Sequence, residues 1–202
     1  LNTNNGWHAA EDTVHTGLAK STTVRLRMGV ANEQSASANN YQYRLEYAAR
    51  TGSTCGDETF TAVPVTPSTE HWEMVTTSQY ADGDNITSGF LTATGTWSNG
   101  EGVEDPSNQT PNVSLSGNYY TELEYAIQAT SSATDYQNYC FRLTNAGVAL
   151  TGYDRYAEIR IEGVIFDQIH YRWRNDDGSE SAATWAQSED TVLTGLIIES
   201  HI

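Results

Sequence analysis

Apolar and polar side chains alternate with a period of two from Thr22 onward, and this alternation sets the character of the chain. Val24, Leu26, Met28 and Val30 fall on one side of an extended backbone while Arg25 and Arg27 fall on the other, as in a strand with one buried and one wet face. Tyr43, Leu45 and Tyr47 alternate in the same way with Arg44 and Glu46, and Leu123, Tyr125 and Ile127 with Glu122 and Glu124. Further strands are predicted at 59–65, 90–96, 120–129, 139–144, 156–162 and 169–174. Polar turn clusters such as Ala81-Asp82-Gly83-Asp84-Asn85 and Ser98-Asn99-Gly100-Glu101-Gly102 separate them. Strands of this length between such turns predict an all-β chain, an immunoglobulin-like antiparallel β-sandwich. Helix signals are scarce: 11–20 suits a helical turn or two, or equally a strand running into a loop. The stretches 66–89 and 98–116 read as surface loops.

A second regularity operates over a much longer distance. Trp7-His8-Ala9-Ala10-Glu11-Asp12-Thr13-Val14-His15-Thr16-Gly17-Leu18 recurs as Trp185-Ala186-Gln187-Ser188-Glu189-Asp190-Thr191-Val192-Leu193-Thr194-Gly195-Leu196. Trp7, Glu11, Asp12 and Thr13 thus reappear as Trp185, Glu189, Asp190 and Thr191, 178 positions later. That period is of the order of one domain, so the chain reads as one full unit followed by the opening of another. The expected organisation is a β-sandwich domain over 1–164 and a linking strand plus the start of a second repeat over 165–202. Just ahead of the second copy, Ile169, Tyr171 and Trp173 form an apolar row that alternates with His170, Arg172 and Arg174. In the 178-residue register this strand falls before Leu1, so the first unit reads as lacking its leading strand. A sandwich short of one strand has a groove and open sheet edges, which invite pairing with another chain. Donation of 169–174 to a neighbouring copy gives a heterologous, non-closing contact and hence a head-to-tail filament. The alternatives are a tandem array in which 165–202 opens the next domain, and a strand that folds back onto its own domain. In a filament, the Trp185 copy competes for a slot that each unit's own Trp7 segment already fills, which leaves the 169–174 strand as the clearest complement.

The run Tyr171-Arg172-Trp173-Arg174-Asn175-Asp176-Asp177-Gly178-Ser179-Glu180, followed by Ala183-Thr184-Trp185 and Glu189-Asp190-Thr191, resembles the opening of a β-rich repeat of large bacterial surface proteins. Segments similar to Tyr43-Arg44-Leu45-Glu46-Tyr47-Ala48 and Tyr139-Cys140-Phe141-Arg142-Leu143-Thr144 follow in repeats of that type. The resemblance implies an extracellular structural or adhesive role and brings no catalytic residues with it.

Composition narrows the partners. Ten Lys plus Arg against 26 Asp plus Glu leave a net charge of −16, which repels a phosphate backbone and argues against nucleic acid. No apolar run reaches the roughly 20 residues of a membrane-spanning helix. Cys55 and Cys140 are the two cysteines, and one disulfide between them fits an oxidising compartment. With abundant Thr, Ser, Asn and Tyr and a single lysine, Lys20, the reading is an extracellular or cell-surface protein. Cys140 shares a strand face with Arg142, opposite Tyr139, Phe141 and Leu143. With the aromatic side inward, the disulfide staples loop 52–56 onto the outer sheet surface, whereas another register puts both cysteines inside.

Candidate chemistry is sparse. Asn175, Asp176, Asp177 and Glu180 crowd oxygen ligands around Gly178 and are the candidate calcium site, although a hairpin turn needs the same residues. Asp82, Asp84 and Asn85 are a weaker set. None of His8, His15, His71, His170 and His201 sits in a nucleophile motif, and no cofactor beyond calcium is implied. Glu122 and Glu124 share a face that reads as solvated and opposed by arginines. Trp72, Trp97, Tyr119 and Tyr153 fall in or near loops, where rings stack on sugars. The sequons at Asn85, Asn108 and Asn112 are candidate glycan sites, and Lys20 is a candidate for an isopeptide cross-link. The function expected is a structural subunit of a filament, pilus-like fibre or surface array that polymerises with copies of itself. The alternative is a carbohydrate-binding or adhesive module of a tandem-repeat surface protein.

Overall fold

A computed structural model describes residues 1–4 and 6–163, together with the backbone of strands at Ile169–Tyr171 and Ala186–Ser188. The chain separates into two units, Leu1–Glu162 and Gly163–Ile202. The first is β-sandwich-like. One of its sheets runs in the order β1 (His15–Leu18), β14 (Ala157–Ile161), β12 (Asn138–Asn145), β4 (Tyr43–Ala49), β5 (Thr61–Ala62), with β13 (Val148–Ala149) also on β12. The other runs β2 (Thr23–Asn32), β11 (Tyr119–Ala129), β9 (Gly100–Val103), β7 (Asn85–Ile86), with β6 (Trp72–Met74) and β8 (Thr96–Trp97) also on β11. A small ribbon pairs β3 (Ala38–Tyr41) with β10 (Val113–Leu115). In the second unit β15 (Ile169–Tyr171) pairs antiparallel with β16 (Ala186–Ser188).

The two longest pairings explain the sandwich. Between β2 and β11, Val24 lies opposite Ile127, Leu26 opposite Tyr125 and Met28 opposite Leu123, which gathers the apolar rows of both strands on one face. Between β4 and β12, Leu45 lies opposite Leu143, Tyr47 opposite Phe141 and Ala49 opposite Tyr139. The two apolar faces share a core, into which Trp72 sets its ring edge-on at 4.9 Å from Phe141 and 5.7 Å from Tyr139. The buried Tyr125 hydroxyl crosses the core and donates to the Tyr43 carbonyl at 2.8 Å.

Several expectations change. Antiparallel pairing dominates, but β1 runs parallel to β14, and β8 and β9 run parallel to β11. The predicted strand at 59–65 contracts to β5. That at 90–96 is replaced by irregular backbone, with only Thr96 entering β8. There the Phe90 and Leu91 amides donate to the Glu122 carboxylate at 2.7 and 2.8 Å, and the Thr92 amide donates to Glu11 at 2.7 Å. Side chains take the donors that a ladder would have used. Region 11–20 is a turn followed by β1, the turn closed by Thr13, whose amide and hydroxyl both donate to the Ala10 carbonyl.

The stretches taken as surface loops carry β6, β7, β9 and β10. They lay further structure over the outer face of the β2–β11 sheet, where Val75, Tyr80 and Ala126 form a second apolar cluster. Gly100 makes the approach of β9 possible: a Cβ there would sit 1.7 Å from the Glu122 carbonyl oxygen. The face carrying Glu122 and Glu124 is therefore not solvated, and the two residues are 0% and 3% exposed. Cys55 and Cys140 form the disulfide. Cys140 faces away from the shared core as the parity reading expects, yet both cysteines are buried.

Candidate functional site

The open side of the first unit lies along β2. One edge of β2 is hydrogen-bonded to β11, and among the described residues no strand takes the other. Its inward row of Val24, Leu26, Met28 and Val30 is only partly buried, although the residues facing the first three across the ladder, Ile127, Tyr125 and Leu123, are completely buried. An open depression around β2, lined by this row and by Arg25 and Arg27 on its other face, extends to Leu143, Ala157 and Ile159 on the opposite sheet and to Leu150 beside it. An edge strand with a half-buried apolar row is a template for another strand.

The segment preceding β1 straps across this opening and is held by side chains. The Trp7 ring packs edge-on against Phe90 at 6.4 Å, and the Arg27 guanidinium lies 5.7 Å from the Trp7 ring centre and 5.1 Å from that of Phe90. Arg27 also donates to the Leu1 carbonyl. Asn2 donates to the Asn85 carbonyl at 3.1 Å and accepts from the Thr87 amide at 2.7 Å. Glu11 accepts from both the amide and the hydroxyl of Thr92, at 2.7 and 2.8 Å. Asp12 adopts a left-handed φ of 58° and lies 3.8 Å from Arg155. The four residues that define the first copy of the motif thus all help to fold the strap or pin it down, together with Leu1 and Asn2. The strap remains accessible, with Trp7 46% exposed, and residues 8–10 belong to no strand.

Beneath the strap lies a buried charge cluster. Arg27 donates to Glu124 at 2.7 Å and to Glu122 at 3.2 Å, and Arg25 donates to Glu124 at 2.9 Å. Glu122 uses its other oxygen for the Phe90 and Leu91 amides. Each carboxylate in this cluster has several donors, which is the condition for keeping it ionised out of water. Glu101 differs: one of its oxygens is buried with no hydrogen-bond partner. Burial, and secondarily the nearby Asp82 carboxylate, push its pKa up to about 7.

The remaining candidates disperse. Ile169 and Tyr171 lie in β15, where Ile169 faces Ser188, His170 faces Gln187 and Tyr171 faces Ala186. Arg172, Trp173, Arg174, the calcium candidates Asn175, Asp176, Asp177 and Glu180, and the second motif at Trp185, Glu189, Asp190 and Thr191 lie outside the described residues. Asp82 accepts from the Glu104 amide and Asp84 from the Ala81 amide, so both help to build the turn. Among the described residues, one cluster of potential metal ligands is present, Cys55, Cys140 and Glu158, and its sulfurs are bonded to each other. Trp72 is 0% exposed and belongs to the core, which removes it as a sugar platform. Trp97 packs on Tyr120, and the Tyr153 hydroxyl donates to the Leu143 carbonyl at 2.6 Å. Asn108 donates its side-chain amide to the Val63 carbonyl, a bond that a glycan there would displace, while Asn85 and Asn112 are exposed. Lys20 pairs with Asp135 at 2.7 Å.

Sequence reasoning missed the strap. Trp7, Glu11, Asp12 and Thr13 were visible as a repeated motif, but their partners Arg27, Phe90, Thr92 and Arg155 carry no local signal of the pairing. Comparison of the chain with protein-family models, with curated proteins and with solved structures finds no match.

Proposed function

We propose that this chain is a structural unit of an extracellular filament, pilus-like fibre or surface array. It is built from copies of itself and joined head to tail through residues 165–202. The observation that carries this reading is the open edge of β2, with its half-buried apolar row bordering an open depression. In this reading the first unit is an immunoglobulin-like sandwich short of one strand, and copies of the chain supply the complement.

The tail offers a pattern for the linkage. Ile169–Tyr171 is paired with Ala186–Ser188, and the latter belongs to the second copy of the opening motif. The strand leaving one unit is zipped to the opening of the next. The disulfide supports a location outside the reducing cytosol, and no helix among the described residues is long and apolar enough to cross a membrane. The net charge of −16 keeps such an array soluble and repels nucleic acid.

Deletion of 165–202 provides the test. By sedimentation the full chain is expected to form head-to-tail multimers and the shortened chain to stay monomeric. Multimers of equal length from the shortened chain overturn the proposal.

A further inference from the structure

The duplicated motif has one copy with a strand partner and one without, and the difference assigns the missing partner. In the second copy, Ala186, Gln187 and Ser188 form β16 and pair antiparallel with β15, with Tyr171 opposite Ala186, His170 opposite Gln187 and Ile169 opposite Ser188. The repeat of 178 residues places His8, Ala9 and Ala10 where Ala186, Gln187 and Ser188 stand. In the first copy His8 and Ala9 bend instead of extending, and none of the three residues joins a sheet. Everything around them is nevertheless in place: Trp7 is seated on Arg27 and Phe90, Thr13 closes its turn on Ala10, and Glu11 is bound to Thr92. The first copy is folded, and among the described residues no strand pairs with its residues 8–10.

We infer that residues 8–10 are the docking site for the strand Ile169–Tyr171 of a neighbouring copy, entering antiparallel with Tyr171 opposite His8, His170 opposite Ala9 and Ile169 opposite Ala10. This rests on the reading of the protein as a self-assembling unit and adds the acceptor and the register. Three further observations favour this occupant. The acceptor is accessible: His8 and Ala10 are exposed and Ala9 is half-buried. His8, Ala9 and Ala10 all line the depression that β2's apolar row borders, so a strand seated on them enters the space that the row leaves open. The incoming strand brings Ile169 and Tyr171 at alternate positions, as an apolar surface on one side and solvent on the other require. The carbonyl of Ala10 is already engaged by Thr13, so the new ladder rests on the remaining backbone groups of the segment. Docking converts the bend at His8 and Ala9 into a strand and requires Ile169–Tyr171 to exchange its pairing with Ala186–Ser188 of its own chain for the neighbour's residues 8–10.

A synthetic peptide spanning residues 165–178, with a benzoylphenylalanine photo-cross-linker at position 171, tests the register on the full chain. Saturable binding with the cross-link mapped to His8 or its immediate neighbours is the expected result. A second peptide carrying Ile169→Asp and Tyr171→Asp is expected to bind at least tenfold more weakly. Cross-links confined to the free edge of β2 around Gly29 and Ala31 overturn the assigned register but leave the self-assembly reading standing. Absence of saturable binding overturns the docking site, and when joined to a monomeric full chain by sedimentation it overturns the self-assembly reading as well.

Discussion

At the scale of single residues, the charges of the β2–β11 sheet separate into groups that are fully paired and one that is not. Arg27 serves two buried carboxylates, with side-chain exposures of 2% for Arg27, 0% for Glu122 and 4% for Glu124. Removing one partner of such a buried set leaves an uncompensated charge, so Arg27→Met is expected to lower unfolding free energy by about 3–5 kcal/mol in urea titrations. Lys20→Met, which breaks the solvent-accessible pair with Asp135, is expected to cost about 1 kcal/mol or less. Glu101 is the unpaired counterpart. Its folded pKa is raised from 4.5 to about 7, so the native state holds the proton more tightly than the unfolded chain. The resulting stability is complete below about pH 4.5 and is lost as pH climbs through about 7. Glu101→Gln is therefore expected to flatten the thermal midpoint between pH 5 and pH 8 and to exceed the parent protein at pH 8. Parallel pH profiles for the two proteins would contradict this.

At the scale of elements, the strands legible in the sequence were those with long uninterrupted alternation. β2, β4, β11, β12 and β14 all lie close to where the apolar rows put them, because one buried face imposes period two on the side chains. The failures share a physical cause. Period two separates inside from outside only when the outer face meets water, and here the segment between β6 and β9 covers it. Glu122 and Glu124 consequently looked solvated and are buried. Trp72, in a stretch that reads as surface loop, lies on a three-residue strand in the centre of the core. The segment 90–96 has strand composition, but its amides are claimed by Glu122 and Glu11, side chains distant in sequence. The strap depends on the same long-range contacts. Glu11→Ala is expected to raise hydrogen exchange at the Thr92 amide by about tenfold or more while leaving the Leu123 amide unchanged. Equal protection at Thr92 in both proteins would mean that Glu11 does not hold the strap.

For the whole molecule, the disulfide and the open edge act in opposite directions. The Cys55–Cys140 bond joins positions 85 residues apart and fixes the turn at Cys55–Asp57 onto the central strand β12 of its sheet. Replacing both cysteines by serine is expected to lower stability by about 4–5 kcal/mol, the loop-closure entropy of a ring that size, measured by urea midpoints under identical conditions. The edge along β2 instead leaves backbone groups without a strand partner among the described residues and an apolar row only half-buried, a liability in an isolated domain. The duplicated ends were legible without any structure. The folding of the first copy into a strap was not, because its anchors lie scattered between Leu1 and Arg155.

The most direct test uses a chain ending at Gly178, which keeps Ile169–Tyr171 and lacks the Ala186–Ser188 strand that pairs with it. By multi-angle light scattering over a range of concentrations, its average mass is expected to rise through multiples of the single chain. A single-chain mass at every concentration would contradict assembly through a donated strand.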